Sequence, residues 1–159
     1  MRPYILVVDD NRITTKLMRR YLEAHDFDVM DACDGIDCLE QCRLRLPDAI
    51  IMDVMMPRMD GFEATKRLKA DPATAHIPVM IVSGMGDLQS QQRAMDAGAD
   101  DFMVKPINDV LLINKARVLS SYCAMQRQIR VLQFALDHAL MADIGQHTMV
   151  EATSSFRNR

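Results

Sequence analysis

The chain has no excess of positive charge and no long basic run. Its 19 lysine and arginine residues are outnumbered by 22 aspartate and glutamate residues, which gives a formal net charge of -3. Proteins that bind nucleic acid or anionic membranes present clustered basic residues. We therefore expect neither nucleic acid nor a membrane surface as a direct partner.

Long apolar segments, closely paired cysteines and a secretory leader are also missing. No apolar stretch approaches the roughly 18 residues needed to span a bilayer. The four cysteines lack Cys-x-x-Cys spacing, and no leader precedes the first apolar run, at residues 4–8. These absences predict a cytoplasmic location in a reducing compartment. Cys38 and Cys42 fall on the apolar stripe of a predicted helix, so we expect them to be small core side chains.

Short apolar runs alternate with helical patterns along most of the chain. Five runs are strand candidates, at residues 4–8, 28–30, 49–52, 79–82 and 102–104. Residues with helical spacing lie between them, as at Ile13, Leu17 and Tyr21. Runs that are apolar at every position are typical of parallel strands covered by helices on both faces. The sequence therefore predicts an α/β fold with a doubly wound, five-stranded parallel sheet.

The last part of the chain follows a different pattern. Beyond about residue 121 no strand candidate occurs, and a helical stripe continues to about Ile144. Residues 145–159 have the glycine, serine, threonine and asparagine content of a flexible tail. We therefore predict a domain at 1–121, a helical extension at 122–144 and a flexible tail at 145–159.

The helical extension carries a heptad pattern. Its members recur at alternating spacings of four and three residues: Val118, Tyr122, Met125, Ile129, Leu132, Leu136 and Ala139. An isolated helix cannot bury such a seam. The favoured interpretation is a parallel coiled coil in a homodimer. The alternative is a helix that folds back on its own domain, because the glutamines beside the seam lack the opposite charges that specify pairing.

Polar residues follow four of the five predicted strands, at the edge of the sheet where open α/β proteins bind ligands. Asp9 and Asp10 follow the first run, Asp53 follows the third, and Ser83 and Lys105 follow the last two. Converging carboxylates repel one another unless a cation is bound, and such oxygen ligands suit Mg²⁺. Singly, these residue types cap helices, begin turns or lie in solvent. Together, at one edge of one sheet, they indicate a functional site.

These residue types predict phosphoryl chemistry. A carboxylate such as Asp53 can act as a nucleophile and form an acyl phosphate if the charge on the transferred group is neutralised. Mg²⁺ and Lys105 would neutralise that charge. The Ser83 hydroxyl would donate a hydrogen bond to a phosphoryl oxygen, and its movement towards the new charge would begin a conformational switch.

Four sequence strings and their spacing resemble the receiver domain of bacterial two-component response regulators over about residues 3–121: ILVVDDN, MDVMMPRMDGFE, IVSG and AGADDFMVKP. The resemblance implies the flavodoxin-like receiver fold. It also implies a signalling protein, not an enzyme, that takes its phosphoryl group from a sensor histidine kinase or a phosphotransfer protein. The HIPV and LPD segments are most similar to receivers attached to diguanylate cyclases, so such an enzyme is one expected effector.

The resemblance assigns the acidic residues to a magnesium site. It implies that Asp10 and Asp53 hold Mg²⁺ directly, together with the backbone carbonyl of Met55, and that Asp9 holds it through water. Asp53 is the residue that is phosphorylated. Lys105 is the partner of the phosphoryl group.

The resemblance also implies a set of switch residues. Ser83 is the switch hydroxyl, Phe102 is the aromatic side chain that turns inward on activation, and a cis peptide bond precedes Pro106. Two residues depart from the family pattern. Gly84 replaces the usual alanine and should widen access for solvent. Phe102 replaces the commoner tyrosine, which removes a hydroxyl group from the signalling surface.

Two other functions are compatible with such a sheet. Phosphatases of the haloacid dehalogenase type also form an aspartyl phosphate, but they resemble a pattern with a second aspartate two residues after the nucleophile. Met55 occupies that position here and cannot transfer a proton. A nucleotide-binding flavodoxin-like module would need a glycine-rich phosphate loop after the first strand, where this chain has DDNR.

Overall fold

The structure is a computed structural model that describes the backbone of residues 1–155 and the side chains of residues 1–144. Five strands alternate with five helices along the chain. The strands are β1 (Tyr4–Val8), β2 (Asp28–Ala32), β3 (Ala49–Asp53), β4 (Val79–Ser83) and β5 (Asp101–Val104). The helices are α1 (Arg12–Glu23), α2 (Gly35–Leu44), α3 (Gly61–Ala70), α4 (Leu88–Asp96) and α5 (Asp109–Ser155).

The five strands form one parallel sheet in the order β2-β1-β3-β4-β5. This confirms the predicted fold class, a flavodoxin-like doubly wound sheet with a long C-terminal helix. The chain order reverses at β1, so β1 and β3 are neighbours although they are not consecutive. Their carboxyl ends meet at the switch point of the sheet, which is where open α/β folds bind ligands.

Alternation along the strands divides the core into layers on the two faces of the sheet. Ile5 and Val7 of β1 belong to a cluster that includes buried residues of α1 and α5. Leu6 and Val8 belong to a second cluster, with buried residues of α2 and α3. Every residue of β1, β3 and β4 is buried, as the continuous apolar runs predicted.

Helix α1 exists where the sequence predicted it, but it turns a different face to the core. The buried residues of α1 are Thr15, Met18 and Leu22, whereas Ile13 is 80% exposed. Thr15 can be buried because its hydroxyl donates hydrogen bonds to the backbone carbonyl oxygens of Asp9 and Asn11. An internal partner of this kind removes the cost of burying a polar group. The apolar stripe predicted from the sequence is therefore wrong at Ile13 and Leu17, which are exposed, whereas Tyr21 is partly buried and packs against the core.

The prediction for α2 is confirmed at its two cysteines. Cys38 and Cys42 are almost fully buried, and both belong to the second core cluster. The exposed cysteine among those described, Cys33, lies in the turn between β2 and α2.

Helix α5 extends further than the sequence indicated. The predicted flexible tail begins at Gly145, but the helix as described continues to Ser155. A single glycine inside a helix costs only about 1 kcal/mol relative to alanine, so it need not end one. The last four residues of the predicted tail lie outside the described part of the chain.

The chain divides into two compact units, Met1–Ala124 and Met125–Arg159. The domain limits predicted from the sequence stay predictions. Within the second unit the seam residues Ile129 and Leu132 are 41% and 64% exposed. Across the described residues, no helix has the length and apolar character required to cross a membrane.

Candidate phosphoryl-transfer site

Three carboxylates meet at the carboxyl ends of β1 and β3. Asp9 and Asp10 directly follow β1, and Asp53 is the last residue of β3. Each can offer an oxygen atom such that these atoms all lie within 4.8 Å of one another. Asp9 and Asp53 are buried, whereas Asp10 is exposed. The predicted convergence of these three residues is therefore present in the structure.

The side chain of Lys105 reaches into this cluster from the end of β5. Its Nζ atom lies 2.9 Å from Asp53 Oδ1 and 3.1 Å from Asp9 Oδ2. The Lys105 backbone N–H donates to the carbonyl oxygen of Ser83, which fixes the lysine beside the end of β4. The peptide bond between Lys105 and Pro106 is cis, as expected from the sequence.

Burial and charge together set the ionisation of the site. Burial raises the pKa of Asp53, and the neighbouring Asp9 carboxylate adds to that effect, whereas the bond from Lys105 opposes it and only partly offsets it. Burial alone would lower the pKa of Lys105. Its bonds to Asp53 and Asp9 outweigh burial and raise that pKa. Lys105 is therefore held as an ammonium ion.

The donor set fits a hard divalent cation such as Mg²⁺. The cluster contains three carboxylates, of which Lys105 pairs with Asp9 and Asp53, so one ammonium group cannot neutralise it. Carboxylate oxygens are the ligands that Mg²⁺ prefers, usually with several water molecules retained. Asp10 and Asp53 would hold the ion directly, and Asp9 would hold it through water. Met55, whose backbone carbonyl is the third expected direct ligand, follows β3 by two residues and has a 72% exposed side chain.

The two expected switch residues, Ser83 and Phe102, differ in how deeply their side chains are buried. Ser83 ends β4 and is 2% exposed, and its hydroxyl oxygen accepts a hydrogen bond from the Met85 backbone N–H at 3.0 Å. Phe102 of β5 is half-buried and packs against a third core cluster. That cluster also contains Val54, the residue after Asp53. Apolar packing therefore links the end of β3 to Phe102.

The family model for the response regulator receiver domain matches residues 5–117. This chain belongs to that family. Response regulator PleD of Caulobacter vibrioides is 38% identical over 130 residues, which are 82% of this receiver chain and 29% of PleD. The DNA-binding dual master transcriptional regulator RpaA of Synechocystis is 34% identical over 148 residues, 93% of this chain and 59% of RpaA. The chain thus spans less than two thirds of either relative.

Solved receiver domains have the same fold. The receiver domain of a signal transduction histidine kinase from Syntrophus aciditrophicus superposes with a TM-score of 0.71 at 33% identity, covering 75% of this chain and 90% of that one. The receiver domain of the Francisella response regulator 1452 gives the same TM-score at 28% identity, covering 75% and 97%.

Two residues of the receiver site were missed at the sequence level. The Asn11 backbone N–H donates to Asp9 Oδ1 at 2.8 Å, while the Asn11 side chain caps α1. An asparagine directly before a helical pattern is a signal for such a cap. Gly61 begins α3, and a Cβ atom on it would overlap the backbone carbonyl oxygen of Asp53. An Asp-Gly pair such as Asp60-Gly61 is a common turn signal, and that signal does not reveal the close approach to Asp53.

The raised pKa of Asp53 predicts a pH-dependent gain in stability on removing its charge. A buried acid with a raised folded-state pKa destabilises the fold above that pKa, and the penalty disappears below its unfolded pKa, near 3.9. Without Mg²⁺, Asp53→Asn should therefore raise the thermal unfolding midpoint at pH 7, and the gain should shrink towards pH 3.5. Thermal unfolding followed by circular dichroism in EDTA measures the midpoint at pH 7 and at pH 3.5. Asp28→Asn, at an exposed position of β2, is the control.

Proposed function

We propose that this receiver is a phospho-accepting signalling switch in which Asp53 takes a phosphoryl group from a histidine kinase or a phosphotransfer protein. The observation that supports the proposal most directly is the 2.9 Å contact between Asp53 and Lys105 inside the carboxylate cluster. A buried carboxylate paired with a fixed ammonium group has both the nucleophile and one charge partner that phosphoryl transfer needs.

The transfer forms one bond and breaks another at phosphorus. A carboxylate oxygen of Asp53 attacks, and the bond to the imidazole nitrogen of the donor histidine breaks, leaving its electron pair on that nitrogen. Bound Mg²⁺ would neutralise charge on the phosphoryl oxygens. Lys105 would move from its carboxylate pairing to a phosphoryl oxygen, and Ser83 would donate its hydroxyl hydrogen to another.

A stoichiometry measurement tests this function against phosphatase activity. With acetyl phosphate as the small-molecule donor and Mg²⁺ present, we expect one phosphoryl group per chain, stable in acid and labile in base. Intact-protein mass spectrometry counts the groups. Sustained release of phosphate from a generic phosphate monoester would instead favour an enzyme, although Met55 offers no proton-transfer group two residues after Asp53.

The side chains near Asp53 predict a long-lived phosphorylated state. Hydrolysis needs a water molecule in line with the phosphorus–oxygen bond, and in this family residues at the positions of Met55 and Met85 can orient it. Both methionines are exposed, and a thioether is a weak acceptor. We expect decay over hours. Polar residues at both positions should shorten the lifetime by about tenfold or more, because water positioning lowers the entropic part of the barrier.

The same experiment can separate water positioning from water access. A Cβ atom at Gly84 would meet nothing within 4 Å, so Gly84→Ala should fold normally and narrow the approach to the site. The phosphorylated state of Gly84→Ala should last as long as that of the wild type or longer, and the loss of phosphate from the protein measures this lifetime. A wild-type half-life under about a minute without any phosphatase would contradict the prediction.

The contacts of β5 give the switch a route to α5. Asp101 accepts a hydrogen bond from the Phe102 backbone N–H at 2.7 Å, and the same carboxylate pairs with Lys115 of α5 at 2.7 Å. A movement of Phe102 would therefore disturb the Asp101 carboxylate and, through its ion pair with Lys115, the position of α5. We propose that α5 carries the output by pairing with a second copy through its heptad seam, with phosphorylation shifting that equilibrium. The effector that this pairing would control is, in our proposal, a diguanylate cyclase.

A further inference from the structure

The loop between β3 and α3 contains an unusual turn at Arg58. The Met59 backbone N–H donates to the carbonyl oxygen of Pro57, two residues earlier, and Arg58 between them has a φ of +64°. A bond of this span defines a γ-turn, and a positive central φ marks its rarer, strained form. Side chains other than glycine rarely occupy this region. Something outside the turn must therefore hold Arg58 in place.

That holding contact is an ion pair with Asp34. The Arg58 guanidinium donates from Nε and Nη2 to one carboxylate oxygen of Asp34. The Asp34 side chain is only 2% exposed, and its other oxygen caps α2 by accepting from the Asp37 backbone N–H at 2.9 Å. Burial would raise the pKa of Asp34, but the bonds from Asp37 and Arg58 outweigh it and lower that pKa. The carboxylate is therefore held charged and in one orientation.

A second contact ties the same two segments together. The Gly35 backbone N–H donates to the carbonyl oxygen of Met59 at 3.2 Å, directly after the strained residue. The far end of the loop is closed by the Gly61 N–H, which donates to the carbonyl oxygen of Val54 at 3.0 Å. Met55 lies between these attachments, so the position of its backbone carbonyl depends on them.

We propose that Arg58 and Asp34 act as a clamp that positions the Met55 carbonyl for Mg²⁺, so that Arg58 is a positioning residue of the phosphoryl-transfer site. The proposal rests on the proposed function, because it assumes that this carbonyl is a magnesium ligand. The clamp joins the loop beside the phosphate acceptor to the amino end of α2. Residues that hold a ligand in place commonly change metal affinity by tenfold or more when removed.

The deciding variant is Arg58→Gly in the full chain. Glycine adopts a positive φ readily, so this change removes the ion pair but keeps the turn and does not strain the fold. We expect Mg²⁺ to bind about tenfold more weakly. The thermal unfolding midpoint should fall because buried Asp34 loses its ionic partner, but the variant should stay folded at the temperature of the titration. A Mg²⁺ titration followed by backbone amide NMR shifts measures the affinity. Phosphorylation by acetyl phosphate should need more Mg²⁺ but reach the wild-type rate at saturation.

Two further variants serve as rescue and control. Arg58→Lys keeps a cation opposite Asp34 and should recover part of the affinity. Arg67→Ala removes an arginine of α3 that is 56% exposed, as Arg58 is, and that also forms an ion pair, with Glu63. Because Arg67 is not attached to the loop, this control should bind Mg²⁺ like the wild type.

The outcomes separate the clamp from the proposed function. Asp10→Ala should weaken Mg²⁺ binding regardless of the clamp, because Asp10 is an expected ligand. If Asp10→Ala loses affinity while Arg58→Gly binds Mg²⁺ like the wild type, the clamp is overturned and the proposed function stands. If the wild type itself does not bind Mg²⁺, both fail.

Discussion

Replacing Asp53 by asparagine should abolish phosphorylation by acetyl phosphate. The amide nitrogen and oxygen of asparagine are poor nucleophiles, whereas the carboxylate of Asp53 lies at the end of β3 beside Lys105. The loss should be complete within detection, and intact-protein mass spectrometry in the presence of Mg²⁺ measures it. Asp9 and Asp10 should not substitute as acceptors, because their expected role is to hold the metal ion.

The matched control for this prediction is Asp60→Asn. Asp60 is an exposed carboxylate close in sequence that caps α3 by accepting from the Glu63 backbone N–H. Asparagine caps helices equally well, so this variant should fold and be phosphorylated normally. Full phosphorylation of Asp53→Asn would show that the acceptor has been assigned to the wrong residue.

The double substitution Ile129→Asp with Leu132→Asp should dissociate the proposed α5 dimer. A fully buried side chain of this size contributes about 1.5 to 3 kcal/mol, and a dimer would bury four of them. Ile129 and Leu132 are 41% and 64% exposed in the single chain, so the free energy gained by burying them in a dimer is smaller than this. At about 1 kcal/mol for each of the four side chains, the dimer dissociation constant should rise roughly 700-fold. Sedimentation equilibrium measures that constant, and phosphorylation of Asp53 should be unaffected.

The same helix supplies a matched control for the dimer. Val131 and Phe134 are 68% and 65% exposed and lie outside the predicted seam. Val131→Asp with Phe134→Asp adds the same charge to the same helix as the seam variant. Because these two residues lie outside the seam, the dimer should stay intact. If the phosphorylated wild type is strictly monomeric at high concentration, or if both double variants behave alike, the seam is not the contact and a helix that folds back on its own domain is favoured.

Most of the fold could be predicted because its signals are local. The apolar runs of β1, β3 and β4 are unbroken, and only a parallel sheet covered on both faces needs such strands. The core-facing side of α1 could not be predicted, because Thr15 replaces an apolar residue there and is buried by bonding to backbone carbonyls. A sequence pattern records the polarity of a side chain but not the partner that it will find.

The acidic site could be predicted for the same reason that it forms. Asp9, Asp53 and Lys105 each follow an apolar run, and parallel strands bring those ends together. The clamp could not be predicted in this way. Asp34 and Arg58 are 24 residues apart, and neither follows a periodic pattern. Their pairing depends on a positive φ at Arg58 and on the close approach of Gly35 to Met59, which are properties of the folded chain only.

The two glycines beside the acceptor differ in how much variation their positions can accept. At Gly61 any side chain would occupy the space of the Asp53 carbonyl oxygen, so the end of β3 and the start of α3 could not both keep their places. At Gly84 the corresponding space is open. A library with all twenty amino acids at each position, selected for signalling, would therefore return almost only glycine at 61 and a broad set at 84. The sequence shows a glycine at both positions, yet position 61 can accept almost no substitution during evolution whereas position 84 can vary.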